Sequence, residues 1–293
     1  MWVFQEAARV LTIDSVFSDV CIFCKCDLLR LPAEKFEKGR KLLLAQLSIC
    51  RQCGWWSVYR IHQGEYEKTT GICESHSGTI GCLKELDISD ISTPLDEVRK
   101  YFLAKREVIF DVHPRILEEV VADVFRDAGY TARVTAYSGD GGIDVILDGD
   151  ADCTIGVQVK RNKRERKIEA EQIRSLAGAL ILGGHTKGIF VTTSGFRKGA
   201  IKTAEKYKLL GRPIELIDAE RFLNILGIVQ MKSFELDQKQ IASYIVTRGV
   251  HIGTGLEQVF SRDEDLRERN IVVGTWTRSE LIEMSTPHNQ AIS

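Results

Sequence analysis

The stretch that decides the fold is Gly139-Asp140-Gly141-Gly142-Ile143-Asp144-Val145, followed shortly by Val157-Gln158-Val159-Lys160. Apolar residues alternate with polar ones in both segments, which is typical of β-strands whose successive side chains point to opposite faces. Gln158 and Lys160 therefore share one face, and Asp144 points away from the apolar side of its own strand. If the two strands pair, we expect Asp144, Gln158 and Lys160 to meet.

These side chains suit metal-assisted hydrolysis of a phosphodiester bond. Mg²⁺ prefers oxygen ligands, and it stabilises the charge that develops on phosphate oxygens. Asp144, Gln158 and the carbonyl of Val159 would supply ligands. Lys160 would position or help to deprotonate the attacking water, and Glu118 on a preceding helix could reach the ion or its waters. The alternative makes Asp144 a turn residue, with Gln158 and Lys160 on the solvent face of an edge strand.

The surrounding residues predict a mixed sheet flanked by helices. Residues 115–128 form an amphipathic pattern with a period near 3.6, bounded by Pro114 and Gly129. The predicted strands are residues 131–136, 143–147, 154–160, 188–193 and 213–217. Further helices are expected around Ile173, at residues 197–209, and after Asp218, which can cap the last one. The order α-β-β-β-α-β-α-β-α favours an α/β (α+β) fold.

The same residues carry a family resemblance. Leu117-Glu118 on its helix, residues 138–145, Val157-Gln158-Val159-Lys160-Arg161 and residues 188–196 resemble the catalytic domain of Mrr-type restriction endonucleases, members of the PD-(D/E)xK nuclease superfamily. The resemblance runs from about residue 113 to residue 226. The active site of that family contains Asp, then Gln or Glu, then Lys. It implies catalytic and metal-binding roles for Asp144, Gln158 and Lys160, and a catalytic role for Glu118.

The resemblance also implies an activity. The implied activity is that of a DNA endonuclease that depends on Mg²⁺ or Mn²⁺ and serves restriction or defence against foreign or modified DNA. Because cutting both strands requires two active sites, we expect a homodimer or larger homo-oligomer, and another defence protein could be a partner. Two alternatives stay open: a nuclease that resolves DNA junctions, and a catalytically silent nucleic-acid-binding sensor on the same fold.

The charge distribution supports a phosphate-rich partner. Residues 156–212 contain 14 basic and 4 acidic side chains, or +10, so a chain with a net charge of -1 carries -11 elsewhere. Such a basic segment suits DNA, although a solvated helix face would also be basic. The residues predicted to contact the DNA phosphate backbone are Arg161, Lys163, Arg164 and Arg166. Thr192, Thr193 and Ser194 precede a helix and could bind phosphate or cap the helix.

Two Cys-x-x-Cys pairs predict a structural zinc site near the N-terminus. Cys21 and Cys24 form the first pair, and Cys50 and Cys53 the second. Four thiolates in this spacing suit tetrahedral zinc, as in a zinc ribbon or a related treble clef. The segment between the pairs looks helix-like. Cys26 could substitute for Cys24, but we interpret it as a residue that does not bind the metal.

A second metal site could be formed by Cys73, His76 and Cys82. We expect instead that they are unpaired buried or surface residues that bind no metal.

The chain divides into four predicted parts. Residues 1–90 form the zinc-ribbon-like domain, residues 91–112 a linker with a helix at 95–106, residues 113–227 the nuclease domain, and residues 228–293 an extension of unknown role. No apolar run approaches the length of a membrane span, and the first residues do not resemble a signal peptide. We therefore expect a cytoplasmic protein that makes no use of a membrane.

Overall fold

The computed structural model describes residues 2–3, 18–38, 41–65, 72–83, 85–136, 141–149, 153–246 and 250–252. The chain forms two compact units, of which one is Glu85–Phe234. The other comprises the described residues before and after that range. Residues 91–112, which we expected to link two domains, lie within the first of these units, and the division into four parts remains a proposal.

The Glu85–Phe234 unit is an α/β fold built on a mixed sheet. Its helices are α1 (Leu95–Ala104), a 3₁₀ helix (Arg106–Phe110), α2 (Pro114–Asp127), α3 (Ala170–Leu182), α4 (Lys198–Leu209) and α5 (Ala219–Lys232). Its strands are β8 (Thr131–Val134), β9 (Val145–Asp148), β10 (Thr154–Lys160), β11 (Lys187–Thr192) and β12 (Ile214–Ile217). The predicted fold class is confirmed, and the elements lie within about two residues of the predicted positions.

The sheet has the order β12-β11-β10-β9-β8. The three strands β10, β11 and β12 are parallel, whereas β8 and β9 are antiparallel to their neighbours. Helices return the chain between the parallel strands, as a parallel connection requires. Asp218 caps α5 as predicted, since its carboxylate accepts a hydrogen bond from the Arg221 amide.

Helices cover both faces of this sheet. On one face α3 and α4 pack around Leu180 and Phe190, and a side chain at Gly156 or Gly188 would overlap Leu180. On the other face, the alternation of side chains places Val145, Leu147 and Val157, all fully buried, towards α2.

Helix α1 is attached to α2 by partly buried ion pairs. The guanidinium of Arg99 lies 2.5 Å from carboxylate oxygens of both Asp123 and Asp127. The two acids are one turn apart on α2, so a single Arg99 side chain can bridge both.

The other unit is an antiparallel sheet. Strands β1 (Trp2–Val3) and β7 (Cys82–Leu83) pair with each other. The larger sheet contains β2 (Leu28–Arg30), β3 (Glu34–Lys38), β4 (Lys41–Cys50), β5 (Trp56–Glu65), β6 (Ile72–Ile80) and β13 (Val250–Ile252). Helix α6 (Gln238–Val246) belongs to this unit, and its Tyr244 ring lies 5.3 Å from that of Trp56.

The helix-like prediction between the two cysteine pairs is wrong. That segment forms β2, β3 and β4 instead. Leucines at residues 42–44 favour a helix by intrinsic propensity. However, Leu43, Ala45, Leu47 and Ile49 are buried at a period of two, and pairing with β5 along the whole strand overrides the local preference.

None of the helices in the described part of the chain is long and apolar enough to cross a membrane.

Candidate functional site: an acidic and amide cluster beside a lysine

The pairing of β9 with β10 brings Asp144 and Gln158 together. Val145 is the partner of Val157 in this antiparallel ladder, so Asp144 lies opposite Gln158. The Asp144 amide donates a 2.9 Å hydrogen bond to the Val157 carbonyl. One carboxylate oxygen of Asp144, Oδ2, accepts a 2.6 Å hydrogen bond from the Val159 amide. The Asp144 carboxylate is therefore in direct contact with the backbone of β10.

Three oxygen donors can therefore face one point between the strands. The N–H and C=O groups of a strand residue point to the same neighbouring strand, so the Val159 carbonyl is directed towards the segment with Asp144, which immediately precedes β9. Gln158 and Lys160 share the face on which a side chain at Gly156 would meet Leu180. The turn before β9 lies close by, because a Cβ at Gly142 would be 3.6 Å from Gln158 Nε2.

Glu118 lies on α2 and is held by an arginine. Glu118 Oε2 lies 3.2 Å from Arg115 Nη1, and the two side chains are only 18% and 22% exposed. Arg115 Nη1 also donates a 2.8 Å hydrogen bond to the carbonyl of Thr135. Thr135 follows β8 and in turn bonds to the backbone of Asp144. A chain of contacts therefore connects Glu118 to Asp144, although the sequence patterns pointed to neither Arg115 nor Thr135.

The predicted phosphate contacts Thr192, Thr193 and Ser194 are buried, with 1%, 1% and 6% of their surface exposed. Thr192 Oγ1 donates a 2.9 Å hydrogen bond to the carbonyl of Lys160. Thr193 Oγ1 accepts from the Asn162 amide and donates to the Asn162 carbonyl, at 2.8 and 2.6 Å. These hydroxyls thus hold the chain that leaves β10, and a direct contact with DNA stays a prediction.

The basic side chains after β10 have different surroundings. Lys163, Arg164 and Arg166 are exposed, and the Asn162 side chain closes their loop by donating to the Arg166 carbonyl at 3.0 Å. Arg161 donates to the Phe110 carbonyl, and the Arg164 guanidinium lies 5.2 Å from the centre of the Phe110 ring. The loop therefore presents Lys163 and Arg166 most openly.

The four cysteines of the two Cys-x-x-Cys pairs form one cluster. The ligand atoms of Cys21, Cys24, Cys50 and Cys53 all lie within 4.8 Å of one another. Sulfur pairs are 3.5 Å apart for Cys21 and Cys53, and 3.3 Å for Cys24 and Cys50. Tetrahedral zinc with bonds of about 2.3 Å would require sulfur separations of about 3.8 Å. The spacing of the sulfurs therefore fits a zinc ion after small adjustments.

The thiols of this cluster influence one another's protonation. The hydrogen bond with Cys21 lowers the pKa of Cys24, whereas the hydrogen bond with Cys21 raises the pKa of Cys53. A negative charge on one sulfur is thus stabilised by neighbours that keep their protons. Four thiolates this close would repel one another unless a cation lay between them.

Both pairs lie in the same kind of turn. The Cys21 amide bonds to the Cys26 carbonyl and the Lys25 amide to the Cys21 carbonyl. Cys50 repeats this pattern with Trp55 and Gly54. Lys25 and Gly54 hold the equivalent position with φ of 65° and 74°, a conformation that glycine adopts at least cost. Two equivalent turns thus present two sulfurs each to a common centre.

The remaining predicted thiols fall elsewhere. Cys26 contacts the Cys24 carbonyl at 3.9 Å and is not part of the four-sulfur cluster. The side chains of Cys73, His76 and Cys82 lie outside the described residues, so the question of a second metal site stays with the sequence prediction.

A comparison with protein families identifies the segment that carries the candidate nuclease residues. A sequence model for a restriction endonuclease family, the Mrr catalytic domain, matches residues 110–226. This segment is an Mrr-type restriction endonuclease domain. It contains all four residues predicted to be catalytic, and the resemblance inferred from the sequence is confirmed. The cysteine cluster lies outside the matched range.

Two curated relatives match part of this chain. One is the uncharacterized protein y4cE of Sinorhizobium fredii, with 31% identity over 105 residues, which make up 32% of this chain and 26% of the relative. The other is the type IV methyl-directed restriction enzyme EcoKMrr of Escherichia coli, with 27% identity over 125 residues, or 41% of this chain and 40% of the relative. The chain thus spans well under half the length of either protein.

Solved structures of two restriction endonucleases also match. The DNA modification-dependent restriction endonuclease AspBHI has a TM-score of 0.33 and 17% identity, covering 52% of this chain and 39% of its own. Restriction endonuclease FokI has a TM-score of 0.34 and 12% identity, covering 53% of this chain and 34% of its own. The family assignment rests on the sequence matches.

Proposed function

We propose that the protein is a DNA endonuclease whose Mrr-type domain hydrolyses phosphodiester bonds with the help of Mg²⁺ or Mn²⁺. One observation carries the proposal: Asp144 lies opposite Gln158 with its carboxylate against the Val159 amide, and Lys160 follows on the same face as Gln158. This is the residue set of the family, brought together by strand pairing.

The donor set fits a hard divalent ion. Asp144, Gln158 and the Val159 carbonyl offer only oxygen, which Mg²⁺ and Mn²⁺ prefer over softer ligands. When bound, such an ion activates water and stabilises charge on the phosphate oxygens. Lys160 would orient the attacking water and offset the charge of the phosphate. Glu118, held by Arg115, would bind the ion or a water beside it.

The exposed basic loop supports DNA as the substrate. Lys163 and Arg166 would contact the phosphate backbone, which positions a duplex without reading its sequence. Arg161 and Arg164, which contact Phe110, would add to the positive field at this edge. The curated relative that is described as methyl-directed suggests modified DNA as the target, which accords with a role in restriction of foreign DNA.

The assembly and the second unit are part of the same proposal. Two active sites are required to cut both strands, so we propose a homodimer or larger homo-oligomer, with another defence protein as a possible partner. We propose that Cys21, Cys24, Cys50 and Cys53 hold a structural zinc ion, because their sulfurs form one cluster of soft ligands. The zinc-binding unit would then help to recognise the target.

A cleavage assay tests the proposed function. Purified protein is incubated with unmodified plasmid, methylated plasmid and a four-way junction, each with and without Mg²⁺. We expect Mg²⁺-dependent cutting of plasmid, and loss of cutting in Asp144→Asn and Lys160→Ala. Lys187→Ala removes an exposed lysine at the first residue of β11 and is the matched control. Cutting of junctions alone would exclude restriction. Equal cutting by wild type and Asp144→Asn would exclude the site.

A further inference from the structure

A network of polar contacts connects the side chain of Glu118 to the backbone of Asp144. These are the two acidic residues of the proposed metal site. Arg115 lies on the first turn of α2, and its guanidinium contacts three acceptors. Nη1 lies 3.2 Å from Glu118 Oε2 and 2.8 Å from the Thr135 carbonyl, and Nη2 lies 3.1 Å from Glu119 Oε1. The side chain is only 22% exposed, so these contacts are largely shielded from water.

Thr135 continues the network to Asp144. The Thr135 amide donates to the Asp144 carbonyl at 2.9 Å. Its hydroxyl lies 2.8 Å from the Ile143 carbonyl and 3.0 Å from that of Asp144. The backbone on either side of Asp144 is therefore held by a single residue just beyond β8. The Asp144 carboxylate is held separately, by the Val159 amide.

We propose that Arg115 and Thr135 are positioning residues that fix Glu118 relative to Asp144, and thereby set the affinity of the site for its divalent ion. The inference rests on the proposed function. Residues that orient metal ligands typically affect metal affinity or activity by about 10- to 100-fold when they are replaced. Here the effect would pass from α2 through one guanidinium to β8 and then to β9.

The geometry requires arginine at this position. A guanidinium is planar and forked, so it holds its partners in a fixed arrangement. Here Nη1 contacts the Glu118 carboxylate and the Thr135 carbonyl, and Nη2 contacts the Glu119 carboxylate. A lysine would keep the positive charge but would offer a single flexible ammonium group. Charge alone would make the two residues equivalent, whereas positioning would not.

Direct measurement of metal binding tests the inference without reliance on cleavage. Mn²⁺ is titrated calorimetrically into the zinc-containing full chain without DNA, and binding that disappears in Asp144→Asn is assigned to the site. We expect Arg115→Gln and Arg115→Lys to raise the dissociation constant for Mn²⁺ about 10-fold or more. Arg174→Gln is the matched control, because Arg174 makes a similar pair with Glu171 on α3, with Nη1 to Oε2 at 2.9 Å.

Thr135 provides a second pair of variants that is less disruptive to folding. Thr135→Val removes the hydroxyl at nearly constant volume and should weaken Mn²⁺ binding. Thr135→Ser keeps the hydroxyl and should bind Mn²⁺ like the wild type. Thr203→Val, which removes a hydroxyl bonded to the Gly199 carbonyl on α4, should bind Mn²⁺ like the wild type.

The outcomes separate this inference from the proposed function. Dissociation constants within about twofold of the wild type in Arg115→Gln and Thr135→Val, against the change of about 10-fold expected for positioning residues, would overturn the inference alone. Wild-type affinity in Arg115→Lys would reduce the role of Arg115 to its charge and overturn its positioning role. Absence of Asp144-dependent Mn²⁺ binding in the wild type would overturn the metal site itself, and the inference with it.

Discussion

Asp144 has two proposed roles, and two substitutions separate them. As a proposed metal ligand it needs a carboxylate charge, and as the acceptor for the Val159 amide it needs only an oxygen in the same place. The bond between Val159 N and Asp144 Oδ2 is 2.6 Å long and partly buried. Asp144→Asn keeps an oxygen for that amide, whereas Asp144→Ala removes it. Both substitutions remove the charge.

The magnitude follows from this one contact. A hydrogen bond to a charged acceptor contributes about 1.5–3 kcal/mol to stability, and a neutral one about 0.5–1.5 kcal/mol. We expect Asp144→Ala to lower the free energy of unfolding by about 2 kcal/mol, and Asp144→Asn by about 1 kcal/mol or less. For a protein of this size, 2 kcal/mol corresponds to a fall in Tm of about 4–8 °C.

The assay compares thermal unfolding of the two variants and the wild type in buffer without added Mg²⁺, followed by plasmid cleavage with Mg²⁺. We expect both variants to lose cleavage. We expect the fall in Tm to be larger for Asp144→Ala than for Asp144→Asn. An Asp144→Ala protein as stable as the wild type would refute the structural role of this hydrogen bond. Substantial cleavage by Asp144→Asn would refute the role of the carboxylate as a metal ligand.

Three further predictions concern other parts of the chain. Cys50→Ser should lose about one zinc per chain by elemental analysis, whereas Cys26→Ser should retain it, because only Cys50 belongs to the four-sulfur cluster. Lys163→Gln should reduce the slope of log affinity for DNA against log salt by about 0.9, while Lys187→Gln should not. Burial, with a smaller effect of Arg133, lowers the pKa of His185 from its ordinary value of 6.5. Its contribution to stability is therefore present above pH 6.5 and is lost as the pH falls through the lowered pKa. Urea unfolding at several pH values should show this dependence in the wild type and a weaker one in His185→Gln.

The Mrr-type domain was largely predictable because its signals are local. The amphipathic period of α2, the glycines before β9 and the alternation in β10 each lie within a few residues of one another. Such a succession of elements predicts a mixed sheet flanked by helices, whereas the order of its strands comes from the structure. Gln158 and Lys160 lie on β10 and Asp144 immediately precedes β9, so the predicted meeting of the three side chains depends on the pairing of these two strands.

The cysteine-rich segment shows where local signals mislead. The spacing of the two cysteine pairs predicted one four-sulfur cluster, which the structure contains. Between them, however, the leucine-rich residues of β4 resembled a helix. Strand β4 pairs with both β3 and β5, and partners so distant in the chain leave no mark on local propensity.

The sequence by itself determined the catalytic-domain family, the order of its elements, the candidate ligands and the two cysteine pairs, because each depends on residue types at short spacing. Only the tertiary structure decided how those ligands are held. Arg115 on α2 bonds to Thr135 just beyond β8. The hydroxyls of Thr192 and Thr193 bond to Lys160 at the end of β10 and to Asn162 just after it. Such contacts join residues about 20 to 30 positions apart. Their formation depends on how helices and strands pack, which short-range patterns do not encode.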